Sequence, residues 1–218
     1  MKSLRLTGIA AVATIGVLAL GACSSSSDST RQSSASPSPS VSYKQLNQDQ
    51  LVATLVDLKA LPNGFAVDDT LTKPGNVSYL CDYDKNANLP QLNTYAARDF
   101  SKGTGLQADV VRTGIRQYDS VEVSAKFFDA LDQALKTCKE TTQDGQTGKV
   151  SVVSADQVGD RSVMVKLDFK EVSLYTQYIQ VGPSFIQVGN ASMMGVNPDV
   201  TVDVAKKQVA KYQEAARG

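Results

Sequence analysis

The chain has 218 residues, 22 basic and 22 acidic side chains, and neither histidine nor tryptophan. Without histidine, the Ser-His and Cys-His nucleophilic arrangements and the usual imidazole-bound catalytic zinc sites are excluded. The balanced charge leaves no basic stripe for nucleic acid, and no P-loop or dinucleotide glycine fingerprint occurs; carboxylates and Ser-Lys dyads remain, but no motif points to them. The composition therefore reads as a non-enzyme with no cofactor and no metal site.

Lys2 and Arg5 precede a segment from Leu6 to Ala22 that is apolar or small, with two threonines and no charge. A positive start, an apolar run and small residues at its end are the parts of a secretory signal. The run is too short and too rich in Gly and Ala for a membrane helix, which needs about 20 apolar residues. It ends in Leu20-Gly21-Ala22-Cys23, which resembles the lipobox of bacterial lipoproteins. A cysteine thiolate is the nucleophile that accepts a diacylglyceryl group as a thioether. The resemblance implies cleavage before Cys23, so residues 1–22 are a signal peptide and Cys23 carries the lipid. Each buried CH₂ contributes about 0.8 kcal/mol and a single chain anchors only marginally, so two chains make a stable anchor. The expected location is the extracytoplasmic face of the cell membrane. Cleavage removes two basic side chains and no acid, leaving a net charge of −2.

Residues 23–42 form a tether: 11 of the 19 residues from Ser24 to Ser42 are serine. Such a composition buries too little apolar surface to offset its ordering entropy, and as a flexible coil it spans about 24 Å. The remaining residues, 43–218, are the length of one domain.

Within that domain, Leu51, Leu55 and Leu58 share a face with Val52 and Val56 beside them, predicting a helix over 48–59 capped by Asn47. Leu61-Pro62-Asn63-Gly64-Phe65 breaks it, and residues 66–93 read as loop. In that loop Asp82-Tyr83-Asp84-Lys85-Asn86 has the beginning of a calcium loop, but Ala87 and Asn93 stand where glycine and glutamate are required; a polar surface turn is the better reading. Residues 94–100 and 106–118 read as a hairpin. A helix follows over 120–137, capped by Ser120 or Asp119, with Phe127, Leu131, Ala134 and Cys138 on one face. Strands are expected at 149–154, 161–169, 172–181 and 184–190. In the second of these Val163, Val165, Leu167 and Phe169 alternate with Met164, Lys166, Asp168 and Lys170. A helix over 199–216 closes the chain. With no sustained strand-helix-strand alternation, the order predicts an α+β fold: an antiparallel sheet of about six strands with helices packed mainly on one face.

Once Cys23 is lipidated, Cys81 and Cys138 are a single pair in an oxidising compartment. A bridge between them closes a loop of 57 positions, worth about 4 kcal/mol in chain entropy; the alternative is two buried thiols. Arg112 and Arg116 lie four apart on one strand, and with Arg98 on its neighbour they are candidates for an anion-binding patch. Tyr175 and Tyr178 fall on opposite faces of one strand and are candidate binding handles. For all five the competing reading is ordinary surface or core packing. Asn76-Val77-Ser78 and Asn190-Ala191-Ser192 match the N-glycosylation pattern, which a bacterial lipoprotein does not ordinarily use.

Several features together resemble the PknH-like extracytoplasmic sensor domain, found on a mycobacterial Ser/Thr kinase and on actinobacterial lipoproteins. They are Leu61-Pro62-Asn63-Gly64-Phe65, Cys81 before a hairpin, Tyr118 and Ser120 ahead of Ala125-Lys126-Phe127-Phe128, Cys138 at the end of that helix, and the strand Val163 to Phe169. The resemblance covers most of residues 50–215. It implies an antiparallel sheet with flanking helices and a cleft for an unidentified ligand. Family members often carry a second disulfide, for which this chain has no cysteines. No kinase domain is present, so a sensing role requires relay through another protein or sequestration of the ligand. The expected function is a membrane-anchored ligand-binding or sensor module without catalysis; the alternative is a structural lipoprotein of the envelope that binds a protein partner.

Overall fold

The computed structural model describes residues 42–74, 80–83, 92–143, 145–193 and 195–217, apart from the side chain of residue 106. The signal peptide, Cys23, the tether up to residue 41, Asn76-Val77-Ser78 and Asp84-Lys85-Asn86 lie outside the described residues. In chain order the elements are α1 (Gln48–Ala53), β1 (Ala66–Leu71), β2 (Thr94–Lys102), β3 (Asp109–Gln117), α2 (Val121–Thr137), β4 (Glu140–Gln143), β5 (Gln146–Val153), β6 (Arg161–Asp168), β7 (Ser173–Val181), β8 (Ser184–Ser192) and α3 (Pro198–Ala216). Short 3-10 turns occupy Leu58–Ala60, Leu80–Asp82 and Gly105–Gln107.

The fold is α+β, with one sheet of eight strands in the order β1-β2-β3-β8-β7-β6-β5-β4. Every pairing is antiparallel. The sheet therefore exceeds the expected six strands by β1 and β4, its two edges. Both are missed for one reason. An edge strand with little core behind it keeps polar residues on both sides, so AVDDTL and ETTQ carry no apolar alternation.

The helices also divide between the two faces instead of gathering on one. Ile179, Val181, Ile186 and Val188 point to the face covered by α1 and α3 and pack with Leu51, Leu55, Val204, Val209 and Tyr212. Their strand neighbours Tyr178 and Phe185 point the other way, into a second core with Phe127, Phe128, Leu131, Val165 and Leu167 under α2. Strands β7 and β8 are thus covered on both sides, and the buried polar residues of β7 are paired only in part: the amide oxygens of Gln177 and Gln180 have no partner among the described residues. Gln180, 4 % exposed, donates to the Ser124 hydroxyl of α2 at 3.2 Å.

The helices begin where capping chemistry predicts. Asn47 and Gln50 exchange side-chain and backbone hydrogen bonds in a capping box, and Ser120 and Asn197 cap α2 and α3. Helix α1, however, stops at Ala53 and does not reach Lys59. Gln208 on α3, fully buried, is the cause: its amide accepts from Val56 N at 3.0 Å and donates to Thr54 O at 2.8 Å. Those backbone groups are thereby withdrawn from helical pairing. Gln117 on β3 does the same for Leu46, accepting at 3.2 Å and donating at 2.8 Å. Lys211, Lys207 and Arg98 cap the carbonyls of Leu55, Ala60 and Val56. The N-terminal arm is thus fixed by side chains that imitate a neighbouring strand.

The chain enters the domain beside its own end. Tyr43 bridges Arg217, Lys44 N donates to Ala216 O at 2.8 Å, and the Tyr43 ring covers Gly182 in the β7–β8 turn. Gly182 has φ +52° and no room for a Cβ beneath that ring, so only glycine fits.

Replacing Gln208 by leucine leaves two buried backbone groups unpaired. We expect it to lower stability by about 2–4 kcal/mol in urea unfolding. Gln213→Ala removes only a half-buried 3.4 Å bond to the Tyr43 hydroxyl and serves as control; equal losses in both variants would refute the clamp. Two phenols carry a second prediction. Burial pushes Tyr178 above the usual tyrosine range, with the Arg116 charge acting in the opposite sense. Burial also raises Tyr212 to about 12, moderated by the hydrogen bond from Ser184. The unfolded chain ionises first, near pH 10. Stability is therefore complete below pH 10 and falls as pH rises above it. Phenolate absorbance from these two should appear only with unfolding, and Tyr178→Phe should shrink that step; a full tyrosine titration with native circular dichroism retained would contradict this.

Candidate functional site

Helix α2 covers the sheet over the turn-proximal halves of β7 and β8, where Phe127 and Phe128 meet Phe185 at centroid distances of 6.2 and 6.3 Å. Beyond the helix the same sheet face is open. A cleft of about 530 Å³ lies there, across the far halves of β7 and β8, the neighbouring parts of β2, β3 and β6, and the short β4. Its apolar lining includes Leu167, Leu174, Val110 and Ala191; its polar lining includes Arg112, Asp99, Thr176, Gln187 and Gln143.

One wall comes from the 3-10 turn at Leu80–Asp82 and from Tyr83. Leu80 and Tyr83 are buried and face the cleft. Cys81 and Asp82 both adopt left-handed backbone, with φ of 58° and 51°, a conformation that costs a non-glycine residue about 1–2 kcal/mol. A disulfide from Cys81 to Cys138, the residue that ends α2, holds the turn there with a Cα–Cα distance of 6.0 Å. The bridge therefore ties the cleft wall to the helix that bounds the cleft. It is half-buried and borders a second, shallower groove of about 590 Å³ along α2.

Arg112 sits on the cleft face of β3, directly across from Asp99 on β2. Its Nε and Nη2 donate to the two carboxylate oxygens at 2.5 Å each. That bidentate bond raises the Arg112 pKa further above its ordinary value, against the opposing effect of burial. The pair remains accessible, with side-chain exposures of 49 % and 19 %. Arg116, four residues further along β3 on the same face, is 5 % exposed and lies 5.7 Å from the centre of the Tyr95 ring.

Arg98 does not join them. It shares a strand face with Ala96 and Phe100, which pack toward α1 and α3, so its side chain lies on the side of the sheet away from the cleft. There it holds Val56 O at 2.9 Å and Thr70 Oγ1 at 3.1 Å. The three arginines thus form no common patch: one braces the N-terminal arm, one is matched by a carboxylate, and one is buried. The tyrosines also separate. Tyr178 lines the inner end of the cleft but is 5 % exposed, within the α2 core. Tyr175 is half-buried on the other face, with Lys166 Nζ 5.9 Å from its ring centre. Asn190 and Ser192 of the glycosylation pattern are buried.

Asp99, Thr176, Gln187, Gly189 and Gln143 escaped the sequence reading. Asp99 acquires meaning only through the register that sets it opposite Arg112. Gly189 and Ala191 did carry a signal: two small residues spaced two apart share one strand face and leave it bare. Among the described residues no cluster of potential metal ligands occurs, and no helix is long and apolar enough to cross a membrane.

No protein-family model and no curated protein matches the sequence. Among solved structures the chain is similar to the extracellular domain of PknH from Mycobacterium tuberculosis, with 10 % sequence identity and a TM-score of 0.60 over 79 % of this chain and 99 % of that one. It also matches the Rv0999 ortholog from Mycobacterium smegmatis, with 15 % identity and a TM-score of 0.43 over 75 % and 96 % of the two chains. The first of these likenesses establishes a shared fold: this chain is built on the architecture of the PknH extracellular domain.

Proposed function

We propose that the protein is a lipid-anchored extracytoplasmic module that binds an envelope ligand in the cleft and performs no catalysis. The observation that carries the binding reading is the cleft itself. Its volume of about 530 Å³ is that of a small-molecule site, and it combines an apolar bed with a few converging polar groups. A fold alone does not assign a function, so the similarity to an extracellular domain supports only the compartment. That support agrees with Leu20-Gly21-Ala22-Cys23 and the serine tether, which carry the anchoring half of the reading.

The geometry also suits a tethered receptor. Residues 43 and 44 are fastened at the β7–β8 turn, while the cleft lies toward the other ends of those strands. Three to seven strand steps separate Ser184 from the cleft residues Gln187 to Ala191, so the cleft begins about 10 Å from the attachment point and reaches about 23 Å from it along β8. The alternative, a docking surface for a protein partner, has less support. The exposed large apolar residues include Val67 on one edge strand, Val152 near the opposite edge and Val121 at the start of α2, which are scattered rather than gathered into one patch.

In cells fed labelled palmitate, the wild-type chain should take up label and shorten, and Cys23→Ala should do neither; an unlabelled wild type that still sediments with membranes would sink the anchor. Binding is tested by thermal-shift screening of full-length protein against envelope lipids, glycans and peptides. A ligand at 100 times its Kd should stabilise the fold by about 2.7 kcal/mol. No shift in any class, together with stoichiometric capture of one envelope protein, would favour the structural alternative.

A further inference from the structure

Taking the cleft as a ligand site, we infer that its ligand is an uncharged, hydroxyl-bearing ring compound of the saccharide class, lying against the bare stretch of β8 at Gly189. The inference rests on the preceding reading and narrows it by three independent features.

The first is charge. The cleft is lined by Asp68, Asp99, Arg112 and Arg116, two acids and two bases. Asp99 and Arg112 neutralise one another, and Asp68 accepts a hydrogen bond from Ser101 at 2.7 Å. A guanidinium carries five N–H donors, of which Asp99 engages the one on Nε and one on Nη2. The exposed pair therefore keeps donors and carboxylate lone pairs on offer with no net charge. A neutralised pair gives an ionic ligand little net attraction, whereas a hydroxyl, which both donates and accepts, can use the remaining donors and lone pairs together.

The second is a pair of idle amides. Gln143 and Gln187 are half-buried and line the cleft, yet neither side chain hydrogen-bonds another described residue. Each offers two donors and an acceptor, again a match for hydroxyls. Of the buried glutamines, Gln117 and Gln208 have both ends of the amide engaged, while Gln177 and Gln180 donate but leave the carbonyl oxygen without a partner among the described residues.

The third is the floor. Gly189 is mid-strand and is not among the glycines with positive φ. A Cβ there would meet Thr176 Oγ1 at 3.4 Å and Tyr175 O at 3.9 Å, ordinary contacts. Neither backbone geometry nor crowding requires glycine, and glycine in a strand interior weakens the strand. What it provides is a flat bed, continued on the same face by Ala191 and bordered by Leu174, where the C–H face of a ring can approach the backbone.

Full-length protein in detergent micelles is titrated, with saturation-transfer NMR as readout, with N,N′,N″-triacetylchitotriose and maltotriose, and in parallel with inorganic phosphate, palmitate and trialanine. At least one oligosaccharide should receive saturation at its ring protons. Gly189→Val and Gln187→Ala should each weaken its binding about tenfold or more, while both variants melt no more than about 3 °C below the parent. Binding of an oligosaccharide that Gly189→Val leaves unchanged overturns the inference. If only phosphate, palmitate or trialanine binds, and Gly189→Val abolishes that binding, the saccharide assignment falls and the cleft remains a ligand site. Silence of every probe counts against both.

Discussion

The width of the sheet governs the rest of the molecule. Eight strands at about 4.8 Å spacing make a surface about 34 Å across. Helix α2, with 17 residues, is about 25 Å long and about 10 Å wide, and it is the one α-helix the described chain lays on its side of the sheet. It can roof two or three strands and no more. The central strands β7 and β8 need cover there, because their residues alternate between two apolar sets, and α2 supplies it at the turn end. What remains beyond the helix is an open half-face, and the cleft is that remainder. The opposite face has α1, α3 and the N-terminal arm to share the task, and together they bury its central strands.

Closing that second face required an unusual device. The arm from residue 44 to 60 has too few helical turns to satisfy its own backbone, and it has no place in the sheet. Its amides and carbonyls are instead met by the side chains of Gln117, Gln208, Lys207, Lys211 and Arg98. A primary amide reproduces the donor and acceptor of a peptide group, so a buried glutamine can act as one residue of a missing strand. The same constraint decides the fate of Arg98: its charge belongs to the arm and is unavailable to the cleft on the other side.

Much of the fold was legible because the central strands alternate. The pattern Val163, Val165, Leu167 against Met164, Lys166, Asp168 placed β6 within a residue of its observed ends, and the caps at Asn47 and Ser120 were readable from residue type alone. The edges were not, because an edge strand has little to bury and so little to reveal. The early end of α1 was hidden for a different reason: Gln208 stands 152 positions from the backbone it redirects, and no local pattern records such a contact. At the candidate site Arg112, Arg116 and Tyr178 were legible, whereas Asp99, Gln143, Thr176, Gln187 and Gly189 and the arrangement of the whole set were not. Arg112 and Arg116 share a face as their spacing requires. Arg98 fell on the other face because register, which a single strand cannot disclose, places Thr113, not Arg112, beside it.

The meeting of Tyr43 with Arg217 also bears on how such a domain can be used. A unit whose entry and exit are neighbours can be inserted into a longer polypeptide, capped at one end or permuted at its junction without cutting the sheet. All the traffic of attachment then passes through one end of the sheet's central strands, and the cleft toward the other is indifferent to what holds it. A fatty tail, a membrane-spanning helix or a loop of a larger receptor would each display the same concavity from the same side, which makes the module portable among anchors.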